Sequence, residues 1–142
     1  MIPRLITPFL PLVFASCANQ NPPFPSPTAV WKTDSGQLQY ATSKRSIIGE
    51  FTATHLGGDL RFEFSKGGTL PLLKLVRTGN TIRAEGVLAR GRWQGPADSA
   101  PSYLGGWVRV SNALIDSPAQ PGQTLVFDGP QPGERFKIQF NR

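Results

Sequence analysis

The chain has 142 residues, a length that predicts one small domain. Only 39% of its residues are hydrophobic, but 9 Phe can still build a core, and 15 Gly with 14 Pro favour a β-rich fold over a helical one. The formal net charge of +6 comes from basic residues that are spread along the chain, which is typical of a solvated basic surface. Anionic lipid headgroups and nucleic acid are the alternative partners, but no nucleic-acid motif is present, so we predict no nucleic-acid partner.

The N-terminus has the organisation of an export signal. Arg4 and the free amino group supply positive charge, and the stretch from Leu5 to Phe14 is apolar. This stretch is too short to span a bilayer as a mature helix. We therefore predict that residues 1–16 are a signal peptide.

The only cysteine follows this apolar stretch, in the segment Phe14-Ala15-Ser16-Cys17. Small residues directly before a cysteine resemble the bacterial lipobox. The resemblance implies a lipoprotein of the bacterial cell envelope that is cleaved before Cys17 and anchored to a membrane by acyl (palmitate-type) chains on that residue. Several acyl chains hold a membrane stably, whereas one chain holds it only marginally. Ala18 is compatible with export to the outer membrane, on its periplasmic face. The alternative is a secreted protein with a free thiol.

Residues 17–29 predict a lipidated, proline-rich tether, because Pro22, Pro23, Pro25 and Pro27 favour a stiff extended chain. Residues 30–142 then form the single folded domain. Its first segment contains Trp31, Leu38 and Tyr40, and the pattern there leaves a strand and a helix equally open.

Residues 47–94 predict four antiparallel strands joined by tight turns. Gly57-Gly58 and Gly79-Asn80 are pairs that two-residue hairpin loops favour. The first turn sets Phe51 opposite Phe64, Ala53 opposite Phe62 and His55 opposite Leu60, with Thr52 and Thr54 opposite Glu63 and Arg61. The second sets Lys74, Leu75 and Leu73 opposite Glu85, Ala84 and Gly86. One face of this sheet is consequently apolar and the other polar.

The glycines inside these strands predict a strongly curved sheet. Gly49 and Gly86 permit sharp bends and a close approach of the backbone. The fourth strand is expected to continue past Gly86 through Arg90, Arg92 and Trp93. Between the second and third strands of this stretch, the loop Lys66–Pro71 carries Leu70, which either folds back on the core or is offered to a partner.

A helix and a last hairpin complete the domain. Ser99 is expected to cap a helix that begins near Pro101, and its apolar positions follow helical spacing, with Arg109 and Asn112 outside. These apolar-stripe positions are Leu104, Trp107, Val108, Ser111, Leu114 and Ile115. Gly105-Gly106 lower its intrinsic stability, so packing must hold it. Leu125 to Phe127 and Arg135 to Phe140 predict the two strands of the hairpin.

The sequence offers little catalytic chemistry. His55 is the single histidine, and with the nearby Asp59 it would form the only base-orienting pair, but no nucleophile motif surrounds it. One histidine with dispersed carboxylates has no metal-ligand spacing, and no phosphate-binding glycine motif is present. We predict a protein that is not an enzyme and has no cofactor or metal. A hydrolase that uses His55 is the distant alternative.

The signal, the tether, the antiparallel meander and the helix with Trp107 together resemble the LolA/LolB group of lipoprotein carriers and receptors. The resemblance runs from about Ile48 to Leu114, through the segments GEFTATHLGGDLRFEFSKGG and LPLLKLVRTGNTIRAEG and the helix after them. The resemblance implies an incomplete β-barrel. Together with the strands and the helix predicted above, the expected fold is mainly β (α+β), with about 6–8 antiparallel strands and one helix over the concave face. Receptors of that group carry an exposed leucine in a loop between central strands, which implies a membrane or partner contact for Leu70. This chain is shorter than a full member of the group.

Two functions are expected from this resemblance and from the apolar pattern. The first is a lipid-binding protein of lipoprotein localisation or lipid transfer, whose concave face binds acyl chains of lipids or of another lipoprotein. The alternative is a lipid-anchored adaptor with a filled core that acts through contacts with another envelope protein. The expected walls of the acyl site are the apolar residues of the concave face: Phe51, Phe62, Phe64, Leu73, Leu75, Ile82, Trp107, Phe136, Ile138 and Phe140.

Overall fold

The computed structural model describes residues 31–117 and 119–142. The predicted signal peptide, the predicted lipidation site Cys17 and the tether therefore lie outside the described residues. Within the described part, every buried apolar side chain lies between Leu38 and Phe140. This part of the chain consequently carries a hydrophobic core of its own.

Eight antiparallel strands form one curved, unclosed sheet, and the described residues contain one α-helix. The strands are β1 (Lys32–Ala41), β2 (Ser46–Leu56), β3 (Asp59–Lys66), β4 (Leu70–Thr78), β5 (Thr81–Gly86), β6 (Gly91–Pro96), β7 (Thr124–Asp128) and β8 (Arg135–Phe140), and the helix is α1 (Ser102–Asp116). Their order in the sheet is β6-β5-β4-β3-β2-β1-β8-β7, so β6 and β7 are its two edges. The predicted half-barrel with one helix is confirmed.

The predicted registers of both hairpins are confirmed. Phe51 pairs with Phe64 and Ala53 with Phe62 in the first hairpin, and Leu75 pairs with Ala84 in the second. Gly57 and Gly79 have positive φ angles of 58° and 60°. Each is the first residue of its two-residue turn, the position that type II′ turns give to glycine. The second ladder ends at the Lys74–Glu85 pair, one pair before the expected contact of Leu73 with Gly86.

The prediction of one long fourth strand through Trp93 is wrong. The strand ends at Gly86, a 3-10 turn follows at Val87–Ala89, and β6 then returns antiparallel to β5, with Trp93 opposite Ala84. Gly86 has a φ of 121°, and a Cβ at this position would lie 2.6 Å from the Leu72 carbonyl oxygen. Gly86 therefore turns the chain back, and the meander has five strands instead of four.

The segment that the sequence left undecided is β1, and it joins the two halves of the sheet. It pairs with β2 along its whole length and with β8 from Gly36 to Ala41. A Cβ at Gly36 would overlap the Gln139 carbonyl oxygen, and one at Gly49 would overlap the Ser65 carbonyl oxygen. The two glycines thus let neighbouring backbones approach closely where the sheet curves.

Helix α1 packs its apolar stripe against the buried face of the sheet. Its buried residues are Leu104, Gly106, Trp107, Val110, Ser111 and Leu114, whereas Val108 and Ile115 are only half-buried. Arg109 and Asn112 are exposed, as predicted. The expected cap at Ser99 is wrong: Ser99 ends a 3-10 turn, Ala97–Ser99, and Pro101 is the N-cap residue without a side-chain hydrogen bond.

The two glycines of α1 allow the helix to lie close to the loop between β7 and β8. A Cβ at Gly105 would lie 2.8 Å from Cγ of Pro130. At Gly106 it would lie 2.6 Å from Cζ of Phe136 and 2.7 Å from Oε1 of Glu134. These distances are shorter than van der Waals contact. The two glycines lower the intrinsic stability of the helix, but its close packing requires them.

Candidate functional site

All ten residues that were expected to line an acyl-binding face are brought together by the fold. Each is buried, with at most 5% of its side chain exposed, and all belong to one hydrophobic cluster. Five strands (β2, β3, β4, β5 and β8) and the helix contribute them, because inward positions alternate along each strand. The ten residues form the core of the half-barrel and contact one another.

Trp107 fills the centre of this buried face. Its ring centroid lies 5.0 Å from those of Tyr40 and Phe136, 5.5 Å from Phe64 and 6.0 Å from Phe62. Among the described residues, its Nε1–H has no hydrogen-bond partner. The indole therefore occupies the space between helix and sheet, and an acyl chain could enter this space only if Trp107 moved.

Hydrogen bonds from two arginines connect the helix to two separate strands of the sheet, β4 and β7. Arg77 on β4 donates from Nη1 to the Ser111 hydroxyl at 2.8 Å and also to the Asn112 side-chain carbonyl. Arg109 of the helix donates to the backbone carbonyl of Asp128 at the end of β7, also at 2.8 Å. These contacts tie α1 both to the interior strand β4 and to the edge strand β7.

A buried carboxylate lies at one end of the core, and sequence reasoning missed it. Glu134 is 2% exposed, and its Oε2 accepts hydrogen bonds from the Tyr40 hydroxyl at 2.9 Å and from the Gln131 side-chain amide at 3.0 Å. Burial, followed by the hydrogen bond to Glu134 and its negative charge, raises the pKa of Tyr40 far above its usual range, while the charge of Arg45 acts in the opposite direction. The one signal in the sequence was an acidic residue between a Pro-Gly turn and an alternating strand.

A cleft opens at the same end of the half-barrel, and we call it the mouth cleft. Its volume is about 480 Å³, within the range of about 300–1,000 Å³ that small-molecule pockets occupy. It is lined by residues from the end of β1, the β1–β2 turn, the Val87–Ala89 turn, α1 and the β7–β8 loop: Tyr40, Thr42, Ser43, Lys44, Arg45, Val87, Leu88, Arg90, Tyr103, Gln131 and Pro132. Tyr40 separates this cleft from Trp107.

Leu70 is exposed and does not fold back on the core. It is the first residue of β4, pairs with Lys66 across the turn, and has 54% of its surface exposed. The loop is shorter than expected, because Gly67 and Gly68 make a tight turn with φ angles of 67° and 73°. The turn ends at the rim of the sheet that also carries Val87, which is 66% exposed.

His55 pairs with a different carboxylate from the one expected. Its Nε2 lies 3.0 Å from Oδ2 of Asp34 on the neighbouring strand β1, at hydrogen-bond distance. Asp59 instead accepts a hydrogen bond from the backbone N–H of Gly79. This pair lies at the opposite end of the sheet from the mouth cleft. His55 pairs with Lys32 at the start of β1, whereas the cleft lies near Ala41 at the end of that strand.

Comparisons with known proteins leave the family open: no protein-family model matches the chain, and no curated protein matches it either. Among the described residues, no helix is long and apolar enough to cross a membrane. The same residues contain no cluster of three or more histidine, cysteine, aspartate or glutamate side chains that could hold a metal ion.

Proposed function

We propose that this protein is a non-enzymatic lipoprotein of the bacterial envelope that is anchored to the outer membrane through Cys17. In this proposal it binds the acyl chains of lipids or of other lipoproteins. The observation that carries the proposal is the mouth cleft, which provides about 480 Å³ at the open end of a half-barrel. Its apolar wall consists of Val87, Leu88, Pro132 and the rings of Tyr40 and Tyr103. A wall of this kind favours an apolar chain, since burial of each CH₂ contributes about 0.8 kcal/mol.

The proposed binding site differs from the one that the resemblance implies. The concave face is filled by Trp107 and its neighbours, so the free space lies above Tyr40 and not between helix and sheet. In this proposal the ten core residues support the cleft from below. Trp107 lies one ring behind the cleft wall, at 5.0 Å from Tyr40, and its displacement would extend the site inward.

The test of this site is uptake of a fluorescent fatty acid by the chain and by a Leu88→Glu variant. Leu88 is half-buried and packs against the core beside the cleft, so a carboxylate there would oppose an apolar ligand. Val126→Glu, at a position 48% exposed on β7, is the matched control. The proposal requires uptake by the parent and the control, and reduced uptake by Leu88→Glu. Equal uptake by all three would refute the cleft as the acyl site.

A second function, an adaptor that acts through protein contacts, is favoured by the filled interior. Trp107 is 1% exposed and contacts four aromatic rings, which is the packing of an ordinary core. In that case Leu70 and its rim would meet another envelope protein. Site-specific crosslinking from position 70 in cells distinguishes the two, since an adaptor requires one dominant protein adduct and a lipid-binding protein does not.

The non-enzymatic character of the proposal has its own test at His55. The pair of His55 and Asp34 has no serine or cysteine nucleophile within its hydrogen-bonding contacts in the described part. We expect His55→Ala to leave lipid binding unchanged. Loss of an activity in a variant that still folds would contradict this assignment.

A further inference from the structure

The mouth cleft carries three basic side chains and no carboxylate among its lining residues. Lys44 and Arg45 come from the β1–β2 turn, and Arg90 follows the Val87–Ala89 turn. All three are exposed, and in the described part none of them makes an ion pair within 4.0 Å. Cations from two separate turns therefore face one cleft without an acidic partner.

The turn that carries Lys44 and Arg45 is closed by three hydrogen bonds. The Thr42 hydroxyl accepts hydrogen bonds from the backbone N–H groups of Lys44 at 3.2 Å and of Arg45 at 3.3 Å. The backbone N–H of Thr42 donates to the carbonyl of Arg45 at 2.8 Å, which closes the turn. Ordered backbone at the base of both side chains lowers the entropy that a ligand must offset.

Arg90 is held by its backbone and by an aromatic ring. It has a φ of 54°, and it is the one residue other than glycine with a positive φ in the described part. Its N–H donates to the Val87 carbonyl at 3.1 Å, and its guanidinium carbon lies 4.2 Å from the ring centroid of Tyr103. A left-handed conformation costs a residue with a Cβ roughly 1 kcal/mol or more, so this placement is maintained by its surroundings.

The buried carboxylate of Glu134 makes no ion pair within 4.0 Å with these cations. Glu134 lies buried behind Tyr40 and Gln131, and both of these residues donate to its Oε2. Its carboxylate is directed into the wall and is not a lining group of the cleft. The cleft consequently presents hydrogen-bond donors with positive charge beside an apolar wall.

We propose that the mouth cleft binds the phosphate group of an amphiphile whose apolar chain lies along Val87 and Leu88. Guanidinium and ammonium groups are the protein groups best suited to phosphate oxygens, since their hydrogen bonds are charge-assisted. Val87, at 66% exposure, is the most exposed of the large apolar side chains in the described part, and it lies next to the cations. The inference rests on the proposed function and adds the chemistry of the headgroup.

The experiment measures the binding of three soluble ligands to the full-length protein with the substitution Cys17→Ser, which removes the attached acyl groups that could compete for the cleft. The ligands are dihexanoylphosphatidic acid, dihexanoylglycerol, which has the same chains without phosphate, and inorganic phosphate. Titration calorimetry gives the affinities, and amide chemical shifts identify the residues in contact. The cleft variant is Lys44→Gln/Arg45→Gln/Arg90→Gln. The control variant, Arg61→Gln/Arg83→Gln/Lys137→Gln, removes the same numbers of lysines and arginines from exposed positions on other strands.

We expect the phosphatidic acid to bind more tightly than the diacylglycerol, and the cleft variant to lose at least roughly tenfold in affinity for it. The control variant should lose less than about twofold, since its charges act only at a distance screened by salt. Equal affinities for the two lipids, or equal losses in the two variants, would overturn the inference. Inorganic phosphate that binds as tightly as the phosphatidic acid would overturn the inference too, because the acyl chains of the lipid would then contribute nothing to its affinity.

Two further readouts keep the outcome unambiguous. Thermal unfolding verifies that the cleft variant folds. If it does not fold, the double variant Lys44→Gln/Arg45→Gln is used instead, because the hydrogen bonds that close this turn do not involve the two substituted side chains. Diacylglycerol that binds without any gain from phosphate would end this inference and leave the proposed acyl binding standing. A chain that binds neither lipid would refute both.

Discussion

The Tyr40 hydroxyl donates a 2.9 Å hydrogen bond to the buried carboxylate of Glu134, and this contact ties the central strand β1 to the loop before β8. Glu134 is nearly without solvent, so each donor lost leaves part of a buried carboxylate unsatisfied. We expect Tyr40→Phe to lower the free energy of unfolding at pH 7 by about 1–3 kcal/mol. Urea denaturation measures this, and Tyr103→Phe, at a half-buried ring in the same cleft, is the control that should change little.

The same contact predicts a pH dependence on the alkaline side. Burial in the first place, and Glu134 in the second, raise the pKa of Tyr40 in the folded protein, whereas the unfolded chain releases this proton near pH 10. The folded state therefore binds more protons above that pH, and stability falls as the pH rises. Tyr40 contributes its full stabilisation below pH 10 and loses it above, by up to about 1.4 kcal/mol per pH unit. The difference between the parent and Tyr40→Phe in alkaline urea denaturation isolates this residue; parallel pH profiles would contradict the assignment.

Trp107 should be the most costly aromatic residue to truncate. It is 1% exposed and contacts Tyr40, Phe62, Phe64 and Phe136. We expect Trp107→Ala to destabilise the domain by about 3–5 kcal/mol, because it leaves a large cavity in the core. Trp93→Ala, at a half-buried position on the edge strand β6, should cost less. Equal costs in urea denaturation would show that Trp107 does not hold helix and sheet together.

Gly106 should reverse the usual preference of helices for alanine. In an exposed helix Gly→Ala stabilises by about 1 kcal/mol, but here the new Cβ would meet Phe136 and Glu134. We expect Gly106→Ala to destabilise by about 1–3 kcal/mol through overpacking. Gly58→Ala is the control, since a Cβ there meets nothing within 4 Å, and it should stay within about 0.5 kcal/mol of the parent. A stabilised Gly106→Ala variant would show that the helix does not approach the β7–β8 loop this closely.

Leu70 should tolerate a charge without loss of the fold. It is 54% exposed at the start of β4, so Leu70→Glu should change the free energy of unfolding by no more than about 0.5 kcal/mol. We expect the same variant to weaken contact with a membrane or partner, measured by crosslinking yield from a neighbouring position in cells. Val126→Glu, with similar exposure on β7, is the control. A Leu70→Glu variant that unfolds would place this leucine in the core and end the comparison with the receptors.

Local patterns account for what the sequence predicts well. The hairpins around Gly57 and Gly79 follow from turns of two residues, whose register is determined within a few positions, so their faces were predicted residue by residue. The return of the chain at Gly86 was missed because an alternating pattern continues on both sides of it. The 3-10 turn that separates the two strands has no signal other than the glycine.

Contacts between distant segments explain what the sequence does not predict. Tyr40 and Glu134 are 94 positions apart, and the mouth cleft combines segments from Tyr40 to Pro132. The core residues were predictable because alternation marks inward positions. That Trp107 fills the concave face was not, since the size of the space depends on how closely Gly105 and Gly106 bring the helix to the sheet.

The most direct test of acyl binding is native mass spectrometry of residues 18–142, expressed without the anchor, followed by lipid extraction. These residues contain every buried apolar side chain of the described core. We expect co-purifying acyl species at close to one per protein chain, with phosphate-bearing lipids enriched among them. A clean mass of the chain alone, with no uptake of a fluorescent fatty acid, would contradict acyl binding and leave the filled-core adaptor as the function to pursue by crosslinking.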